Sequence, residues 1–289
     1  MATETIMKGV FTPVVFSKLM RRNLDPQSVF YDLVNRDYEG EIKNKGDKVV
    51  IRQAGDITVK DYVKGTPMVY EDPNGNTMEL TIDQKKYFAF SIEDIDQVQS
   101  DIDGLVQKNV DRAQSEITLV KDTYISTKIW DGIHDDNLLT TVALTKDNAY
   151  NTLSKLMARL RWTSAIKNNG TGYDGKRPWL VVDPDVFGVL LEAPQTTKAT
   201  VEGDKTTRQG TLLRLAGFDI KVSNHADPAG ETRKIIAGTT EGFSYADQIA
   251  KTKIETDKDD FAKHASGLYL FGGVATQEKA LAGVEVTLA

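Results

Sequence analysis

The chain has 289 residues, of which 40% are hydrophobic and 27% charged, so it is long enough for one large or two ordinary domains with hydrophobic cores. It contains no cysteine, which excludes disulfides, zinc–thiolate sites, iron–sulfur clusters and cysteine nucleophiles. The formal net charge of -6 has the wrong sign for a protein whose main task is to grip phosphate backbones, although local basic patches remain allowed. No apolar run approaches the ~20 residues that span a bilayer, and the first residues lack the apolar core of a signal peptide, so we expect a soluble, cytoplasmic chain with no membrane partner.

The first ninety residues predict two extended segments. The N-terminal forty combine an apolar patch, which includes Phe11, Val14 and Phe16, with scattered prolines, and this indicates a short helix inside an extended arm. Residues 46–63 and 76–92 alternate apolar and polar side chains, which is the period of a strand, and a turn signal lies between them at 72–75. We therefore predict a long β-hairpin over 46–92, which must lie against something else because two strands alone are marginally stable in water.

The strongest periodic signal is a single helical stripe that follows the hairpin. Apolar residues recur at helical spacing from Ile95 to Tyr124, and no proline interrupts the pattern up to about Trp130. Such a helix is roughly 50 Å long at the usual rise per residue, which matches the diameter of a compact chain of this size. We predict a flat or elongated subunit with this helix as its spine. A coiled-coil segment is the alternative, which Gly104 fits less well.

Beyond Gly132 the pattern is that of a mixed α/β structure. Helical spacing predicts a helix from Ala149 to Leu160, and Asp183 followed by Pro184 predicts the start of another. Residues 194–209 are polar throughout and predict a loop. The other predicted elements are a strand at 179–182, a short helix at 211–217, strands at 218–222, 234–238 and 243–256, and a last strand at 267–286.

Residues 170–177 match two phosphate-binding patterns in part. Their three glycines satisfy G-x-G-x-x-G, and Lys176 satisfies most of the P-loop pattern, but Arg177 stands where a P-loop needs a hydroxyl group for magnesium. A phosphate-binding loop must follow a strand and open a helix, whereas here a predicted helix precedes the loop and a predicted strand follows it. We therefore predict a surface loop, and an α/β nucleotide-binding enzyme that uses residues 170–177 is the alternative.

No other motif predicts catalysis or a bound metal. The three histidines, His134, His225 and His264, are far apart and lack the spacing of a metal site. Ser244 lies in a sequence that approaches the nucleophile elbow but ends in alanine. We therefore predict no catalytic residue, no cofactor and no metal, and expect a structural protein rather than an enzyme.

The sequence thus predicts an apolar arm, an isolated hairpin and a helix as long as the molecule. Such parts bury their apolar faces only on neighbouring chains, which is typical of a subunit of a larger assembly. The order of these features resembles the major capsid (coat) protein family of tailed bacteriophages, which has the Hong Kong 97-type fold. GDKVVIRQAGDITVKDY through KKYFAFSIEDID resembles the extended loop of that fold, and the helix after Ile95 resembles its spine helix. RPWLVVDPDVFGVLLEA and LLRLAGFDIKVSN resemble its axial domain, and GLYLFGGVATQEKALAGVEV resembles the late strand that returns to its peripheral domain.

The resemblance implies an α+β fold in five parts. These are an N-terminal arm at 1–45, an extended β-hairpin loop at 46–92, a peripheral domain with the spine helix at 93–145, an axial domain at 146–250, and a return to the peripheral domain at 251–289.

The implied function is self-assembly into an icosahedral shell of pentamers and hexamers that encloses phage double-stranded DNA. The protein would be made and assembled in the host bacterial cytoplasm and reside in the virion capsid. Its partners would be other copies of itself, a portal, the packaged DNA by non-specific proximity, and a separate scaffolding protein, because no obvious cleavable scaffolding segment precedes the arm. A decoration protein is compatible with the same resemblance.

The candidate subunit contacts fall on the arm, on the hairpin tip and on the polar loop of the axial domain. They are Phe11, Val14, Phe16, Pro73, Asn74, Gly75, Thr196, Thr197, Lys198, Thr206 and Thr207. An encapsulin-like nanocompartment shell shares the implied fold and is the second alternative, which the chain by itself separates poorly from a phage shell.

Overall fold

The structure is a computed structural model that describes residues 28–40, 48–52, 57–62, 64–65, 67–72, 75, 77–93, 105–194, 214–224, 232–256 and 262–288. These residues form an α+β fold with three α-helices and eleven strands. The helices are α1 (Leu105–Asp131), α2 (Ala149–Trp162) and α3 (Pro184–Glu192). The strands are β1 (Lys48–Arg52), β2 (Thr77–Thr81), β3 (Gln84–Glu93), β4 (Leu138–Leu144), β5 (Trp179–Val182), β6 (Arg214–Leu215), β7 (Phe218–Val222), β8 (Thr232–Gly238), β9 (Phe243–Thr256), β10 (Ala262–Ala275) and β11 (Leu281–Leu288).

The strands form three sheets. A six-stranded mixed sheet has the order β4-β11-β8-β5-β7-β6, and a three-stranded antiparallel sheet has the order β3-β10-β9. The third sheet is the antiparallel pair of β1 and β2. Within the six-stranded sheet, β4 runs parallel to β11 and β5 runs parallel to β7.

The six-stranded sheet is covered on both faces. Successive side chains of a strand point to opposite faces, and β5 divides accordingly. Leu180 and Val182 lie in a core with α2 and α3, whereas Trp179 and Val181 lie in a second core with α1, β9 and β10. Burial on both faces explains why this strand is continuously apolar rather than alternating.

Helices α2 and α3 confirm the two predicted helices. Leu153, Leu156 and Leu160 of α2 are completely buried on the sheet, as their helical spacing requires. At the start of α3, Asp183 accepts a hydrogen bond from the backbone N–H of Asp185 at 2.9 Å, and Pro184 occupies the first turn, where its missing N–H costs nothing.

Helix α1 confirms the predicted long helix from Leu105 onward; residues 94–104, where its predicted start falls, lie outside the described residues. Its 27 residues span about 40 Å. Ile125 and Ile129 are completely buried, and Val110 and Ile117 are nearly so, although Val120 of the predicted stripe is exposed. None of the described helices is long and apolar enough to cross a membrane.

The predicted hairpin is confirmed at its base and wrong in its extent. β1 and β2 pair antiparallel from Lys48 opposite Thr81 to Arg52 opposite Thr77. The strand does not continue in that hairpin to residue 92, because β3 leaves it after Ile82 and Asp83 and pairs with β10 along its whole length. Alternation of apolar and polar residues indicates that a segment is a strand, but it does not indicate which strand it pairs with. The sequence therefore predicted β2 and β3 as one continuous strand, although they belong to different sheets.

The predicted short helix at 211–217 is wrong over its described part. Arg214 and Leu215 form β6, which pairs with β7 across a two-residue turn, Ala216 and Gly217, with φ of 51° and 91°. Positive φ at both turn residues defines the tight hairpin whose twist matches that of its strands. Gly217 therefore serves a hairpin turn rather than the end of a helix.

The predicted last strand at 267–286 is two strands in two sheets. β10 ends at Ala275, and β11 begins at Leu281 and inserts between β4 and β8. The break at 276–280 contains neither glycine nor proline, so the sequence gives no turn signal there. Residues 281–288 thus pair with β4, from the segment predicted as peripheral domain, and with β8, from the segment predicted as axial domain, rather than with β3, β9 or β10. Strand β4 was not predicted.

Candidate assembly surfaces

A concentrated apolar surface lies on the segment between β1 and β2. We call residues 57–72, as far as they are described, the exposed ribbon. Val59 is 95% exposed and Tyr70 is 86% exposed, and the other exposed apolar side chains of the ribbon are Ile57, Tyr62, Met68 and Val69. Soluble monomers rarely expose so many large apolar side chains within one short segment, and such patches mark interaction sites.

The two sides of the exposed ribbon are held together by polar contacts. Glu71 accepts a hydrogen bond from the backbone N–H of Thr58, and its carboxylate lies 3.5 Å from the Lys60 ammonium. Closer to the base, Lys48 and Glu79 form an ion pair at 2.7 Å, and this hydrogen bond raises the pKa of Lys48 above its ordinary value. The ribbon therefore extends from the body as a two-sided projection.

The base of the projection is packed against the three-stranded sheet. Val49, Ile51, Leu80 and Ile82 form an apolar cluster with Ala246 of β9. Where β10 crosses under β2, a Cβ atom on Gly272 would lie 2.1 Å from the Thr81 carbonyl oxygen, so only glycine permits this approach. The β1–β2 pair at the base of the ribbon is thus held against the body by close packing.

Tyr124 links α1 to the turn between β2 and β3. Its hydroxyl donates a hydrogen bond of 2.7 Å to a carboxylate oxygen of Asp83, and its ring meets Phe271 edge to face at 5.3 Å. Burial, reinforced by the bond to Asp83, raises the pKa of Tyr124 well above its ordinary value. The hydroxyl therefore stays protonated and keeps donating throughout the neutral range.

Asp122, also on α1, anchors residues 28–30, which lie within the predicted arm. This completely buried carboxylate accepts hydrogen bonds from the Ser28 hydroxyl at 2.7 Å, from the Val29 N–H at 3.1 Å and from the Phe30 N–H at 2.9 Å. Several N–H and O–H donors can satisfy a buried carboxylate, which is otherwise costly to bury. Residues 28–30 are consequently anchored to the helix, and Phe30 fills the core beside it.

Residues 170–177 form a surface loop, as predicted. Several of its backbone N–H groups are used within the loop: Gly172 donates to the Lys176 carbonyl at 2.7 Å, and Gly175 donates to the Gly172 carbonyl at 3.2 Å. The N–H of Lys176 donates to the Asp174 carboxylate at 2.9 Å. The loop leads into β5 rather than into a helix, so its geometry is not that of a nucleotide-binding loop.

The described residues contain no group of three or more side chains suited to a metal ion. The imidazole of His134 accepts a hydrogen bond from the Asp136 N–H at 3.3 Å, and His264 lies on an exposed position of β10. His225 lies outside the described residues. Ser244 is buried and lies 3.2 Å from the hydroxyl of Thr276, an interior contact in a sheet.

Of the predicted subunit contacts, the described residues include only Gly75, which is exposed near the end of the exposed ribbon. The remaining ones, Phe11, Val14, Phe16, Pro73, Asn74, Thr196, Thr197, Lys198, Thr206 and Thr207, lie outside the described residues and stay predictions. Sequence reasoning missed the apolar side chains of the ribbon as contacts. Alternation over residues 57–62 suggested a paired strand with one covered face, whereas these residues form no strand and are uncovered on both sides.

Comparison with solved structures identifies the fold. A structure from Mycobacterium phage Che8 matches with a TM-score of 0.80 and 25% sequence identity, covering 96% of this chain and 97% of that one. The capsid structure of cyanophage P-SCSP1u matches with a TM-score of 0.73 and 14% identity, covering 97% of this chain and 93% of that one. The encapsulin of the holo-SrpI complex from Synechococcus elongatus PCC 7942 matches with a TM-score of 0.59 and 12% identity, covering 93% of each chain. No protein-family model and no curated protein matches the sequence.

The chain therefore has a fold that is found both in a phage capsid structure and in an encapsulin. Its TM-scores with the Che8 and P-SCSP1u structures are higher than that with the encapsulin, over nearly the whole length of both chains. The resemblance to phage major capsid proteins that the sequence indicates is confirmed.

Proposed function

We propose that the chain is the major capsid protein of a tailed phage, and that it assembles with itself into an icosahedral shell of pentamers and hexamers around double-stranded DNA. The observation that carries this proposal is the exposed ribbon on a subunit whose fold is shared with phage capsids. Large apolar side chains on a projection are stabilised only when another surface covers them. In a shell of identical subunits, that surface belongs to a neighbouring copy.

The parts of the Hong Kong 97-type fold map onto this chain as a further part of the proposal. The arm is residues 1–45, the extended loop occupies 46–83 of the predicted 46–92, and α1 is the spine helix of a peripheral domain that includes β3, β9 and β10. The axial domain is the six-stranded sheet with α2 and α3. Strand β11, in the predicted return at 251–289, belongs to the axial domain in this assignment.

Contacts of this kind are heterologous, because the ribbon of one subunit meets a different surface of the next. Such head-to-tail contacts close into rings only when the angle between subunits is fixed. Gly272 and the Tyr124–Asp83 hydrogen bond hold the base of the projection on its own subunit, which would favour a fixed angle. The predicted contacts at Phe11, Val14, Phe16, Pro73 and Asn74 and in the polar loop at 196–207 would add further interfaces.

The protein is structural rather than enzymatic in this proposal, and it resides in the virion capsid after assembly in the host bacterial cytoplasm. A separate scaffolding protein, a portal and a decoration protein are the proposed additional partners. Packaged DNA would be a neighbour by proximity.

Replacing four apolar side chains of the exposed ribbon tests the proposal. We expect the combined variant Val59→Ser, Tyr62→Ser, Val69→Ser and Tyr70→Ser to remain a folded subunit and to form no closed shells, because the neighbour loses the apolar surface that it covers. Negative-stain microscopy and sedimentation velocity measure the result. The control is the pair Asp61→Ser and Asp72→Ser, exposed positions of the same ribbon, which should still assemble. Shells from the apolar variant that match wild type in yield and size would contradict the proposal, as would normal assembly after deletion of residues 68–78.

The contents of purified particles separate a phage shell from an encapsulin-like compartment. Expression in a host that carries the phage packaging proteins should give particles filled with double-stranded DNA. Particles that contain a protein cargo and no nucleic acid would favour the compartment, whose fold this chain also matches, at the lower TM-score of 0.59.

A further inference from the structure

A cleft of about 310 Å³ lies at one edge of the six-stranded sheet, where Asp32 and Leu33 of the predicted arm contribute to its lining. This volume is at the small end of the range found for ligand pockets, about 300–1,000 Å³. Four basic side chains line the cleft: Lys176, Arg177, Arg214 and Lys221. We call it the basic cleft.

The fold brings these four residues together from separate segments. Arg177 lies two residues before β5, Lys221 is on β7 next to β5, and Arg214 is on β6 at the edge of the sheet. In the sequence they are spread over more than forty residues, which is why the lysines and arginines look scattered. Lys176, which in the sequence resembles the lysine of a P-loop, therefore lines a cleft that forms only when the sheet folds.

The basic cleft retains unpaired positive charge. Asp219 is paired with Arg214 at 3.0 Å, and Asp32 is the other carboxylate in the lining. Lys176, Arg177 and Lys221 form no ion pair with any described residue. The lining thus has three basic side chains without an ion pair and one acidic side chain, Asp32, to balance them. This local excess of positive charge occurs on a chain whose net charge is -6.

Trp179 and Thr240 also line the cleft. Trp179 is 3% exposed, and among the described residues its indole N–H has no hydrogen-bond acceptor. A buried donor without an acceptor is uncommon and costs free energy, and this one belongs to a residue of the lining.

We propose that the basic cleft binds a phosphate group, either a free phosphate ion or a phosphate of a nucleic-acid backbone. Arginine and lysine donors from three segments suit an anion whose oxygens point in several directions, and guanidinium groups bind phosphate through paired hydrogen bonds. Side chains hold the phosphate in this proposal, since the backbone N–H groups of Gly172, Gly175 and Lys176 already donate within the loop. The site is independent of shell formation and goes beyond the proposed function.

The test measures binding of three probes to the full-length protein: inorganic phosphate by calorimetry, and a labelled 12-base-pair DNA duplex and a labelled poly-glutamate peptide by fluorescence anisotropy. The cleft variant is Lys176→Gln with Arg177→Gln, whose side chains are exposed and whose backbone bonds are unaffected. The matched control is Lys155→Gln with Arg159→Gln, which removes the same charges from the exposed face of α2.

We expect the cleft variant to lose at least about tenfold in affinity for a phosphate probe, and the control to lose less than about twofold. If the duplex binds, its affinity should depend less steeply on salt concentration in the cleft variant. The decrease in the slope of log affinity against log salt concentration should correspond to the loss of about two phosphate contacts. Cleft-specific loss for both probes assigns the phosphate to DNA, and loss for inorganic phosphate alone assigns it to the free ion. The proposal is overturned if neither phosphate probe loses affinity specifically in the cleft variant, or if poly-glutamate binds the cleft more tightly than both.

Discussion

Leu180, Val181 and Val182 in the six-stranded sheet are completely buried, whereas Val59 and Tyr70 in the exposed ribbon are 95% and 86% exposed. Both segments are rich in apolar residues, and the sequence predicts a strand at 179–182 and over the first part of the ribbon, 57–62. The sheet covers its apolar side chains with α2 and α3 on one face and with α1 on the other. The ribbon has no such cover within the described part of its own chain.

The difference separates two kinds of apolar residue in one subunit. Those of the sheet stabilise the fold of the single chain, and those of the ribbon are available to stabilise contacts between chains. Substitutions in the sheet should therefore change the free energy of unfolding, and substitutions in the ribbon should change assembly. The following expectations concern the free energy of unfolding of unassembled subunits, measured by urea denaturation at concentrations below the onset of assembly.

The largest effect should come from Leu156→Ala in α2. Removing a completely buried leucine leaves a cavity under the six-stranded sheet, so we expect a loss of about 2–5 kcal/mol. Lys155→Ala, at the exposed neighbouring position of the same helix, should change the value by less than about 0.5 kcal/mol. An equal loss in both variants would mean that α2 is not packed as described.

Asp122→Ala should have the next largest effect. It leaves the N–H groups of Val29 and Phe30 and the hydroxyl of Ser28 without their acceptor, so we expect a loss of about 2–3 kcal/mol. Hydrogen exchange at residues 28–30 should accelerate in parallel. Thr123→Ala serves as the control, because that hydroxyl only bonds back to the Leu119 carbonyl within the helix; unchanged exchange in the Asp122 variant would contradict the anchoring role.

Tyr124→Phe should cost about 1 kcal/mol near neutral pH, because one hydrogen bond to a carboxylate is lost. The pKa of Tyr124 is raised in the folded state, so its contribution is fully present below the unfolded pKa of about 10 and is lost as pH rises above that value. The gap between wild type and variant should therefore narrow above about pH 10. Tyr87→Phe, at an exposed tyrosine, should change the free energy of unfolding near neutral pH by less than about 0.5 kcal/mol; a constant gap for Tyr124 would contradict the shifted titration.

The smallest effect should come from Val59→Ser in the exposed ribbon. Its side chain has almost no cover to lose, so the free energy of unfolding should change by less than about 0.5 kcal/mol. The same variant should raise the protein concentration at which shells form, as light scattering would show. A large loss of subunit stability would mean that the ribbon is covered by its own chain, and it would remove the contrast with the sheet.

The elements that the sequence predicted well are those whose signal is local. The helical spacing of Leu153, Leu156 and Leu160 and the Asp183–Pro184 start depend on neighbouring residues only, and α2 and α3 follow them. Partner choice is not local. Nothing in residues 84–92 reports that they pair with 262–271, and nothing in 281–288 reports insertion between two strands more than forty residues away.

The candidate sites also differ in whether their signal is local in the sequence or depends on the tertiary structure. Gly217 carries a local signal with two interpretations, a helix end or a hairpin turn, and only the strand pairing of Arg214 with Asp219 decides between them. The exposed ribbon was predicted as a hairpin needing support, but its lack of cover is a tertiary property. The basic cleft is invisible in the sequence because its cations come from three segments.

The position of β11 in the sheet also bears on how the protein is made. This strand lies between β4 and β8, which are synthesised well before it. During synthesis, β4 and β8 therefore have no strand between them until residues 281–288 leave the ribosome. A nascent chain that stops short of residue 281 lacks an internal strand and exposes the unpaired edges of its neighbours. Incomplete translation products would consequently be more open to proteolysis than the full chain.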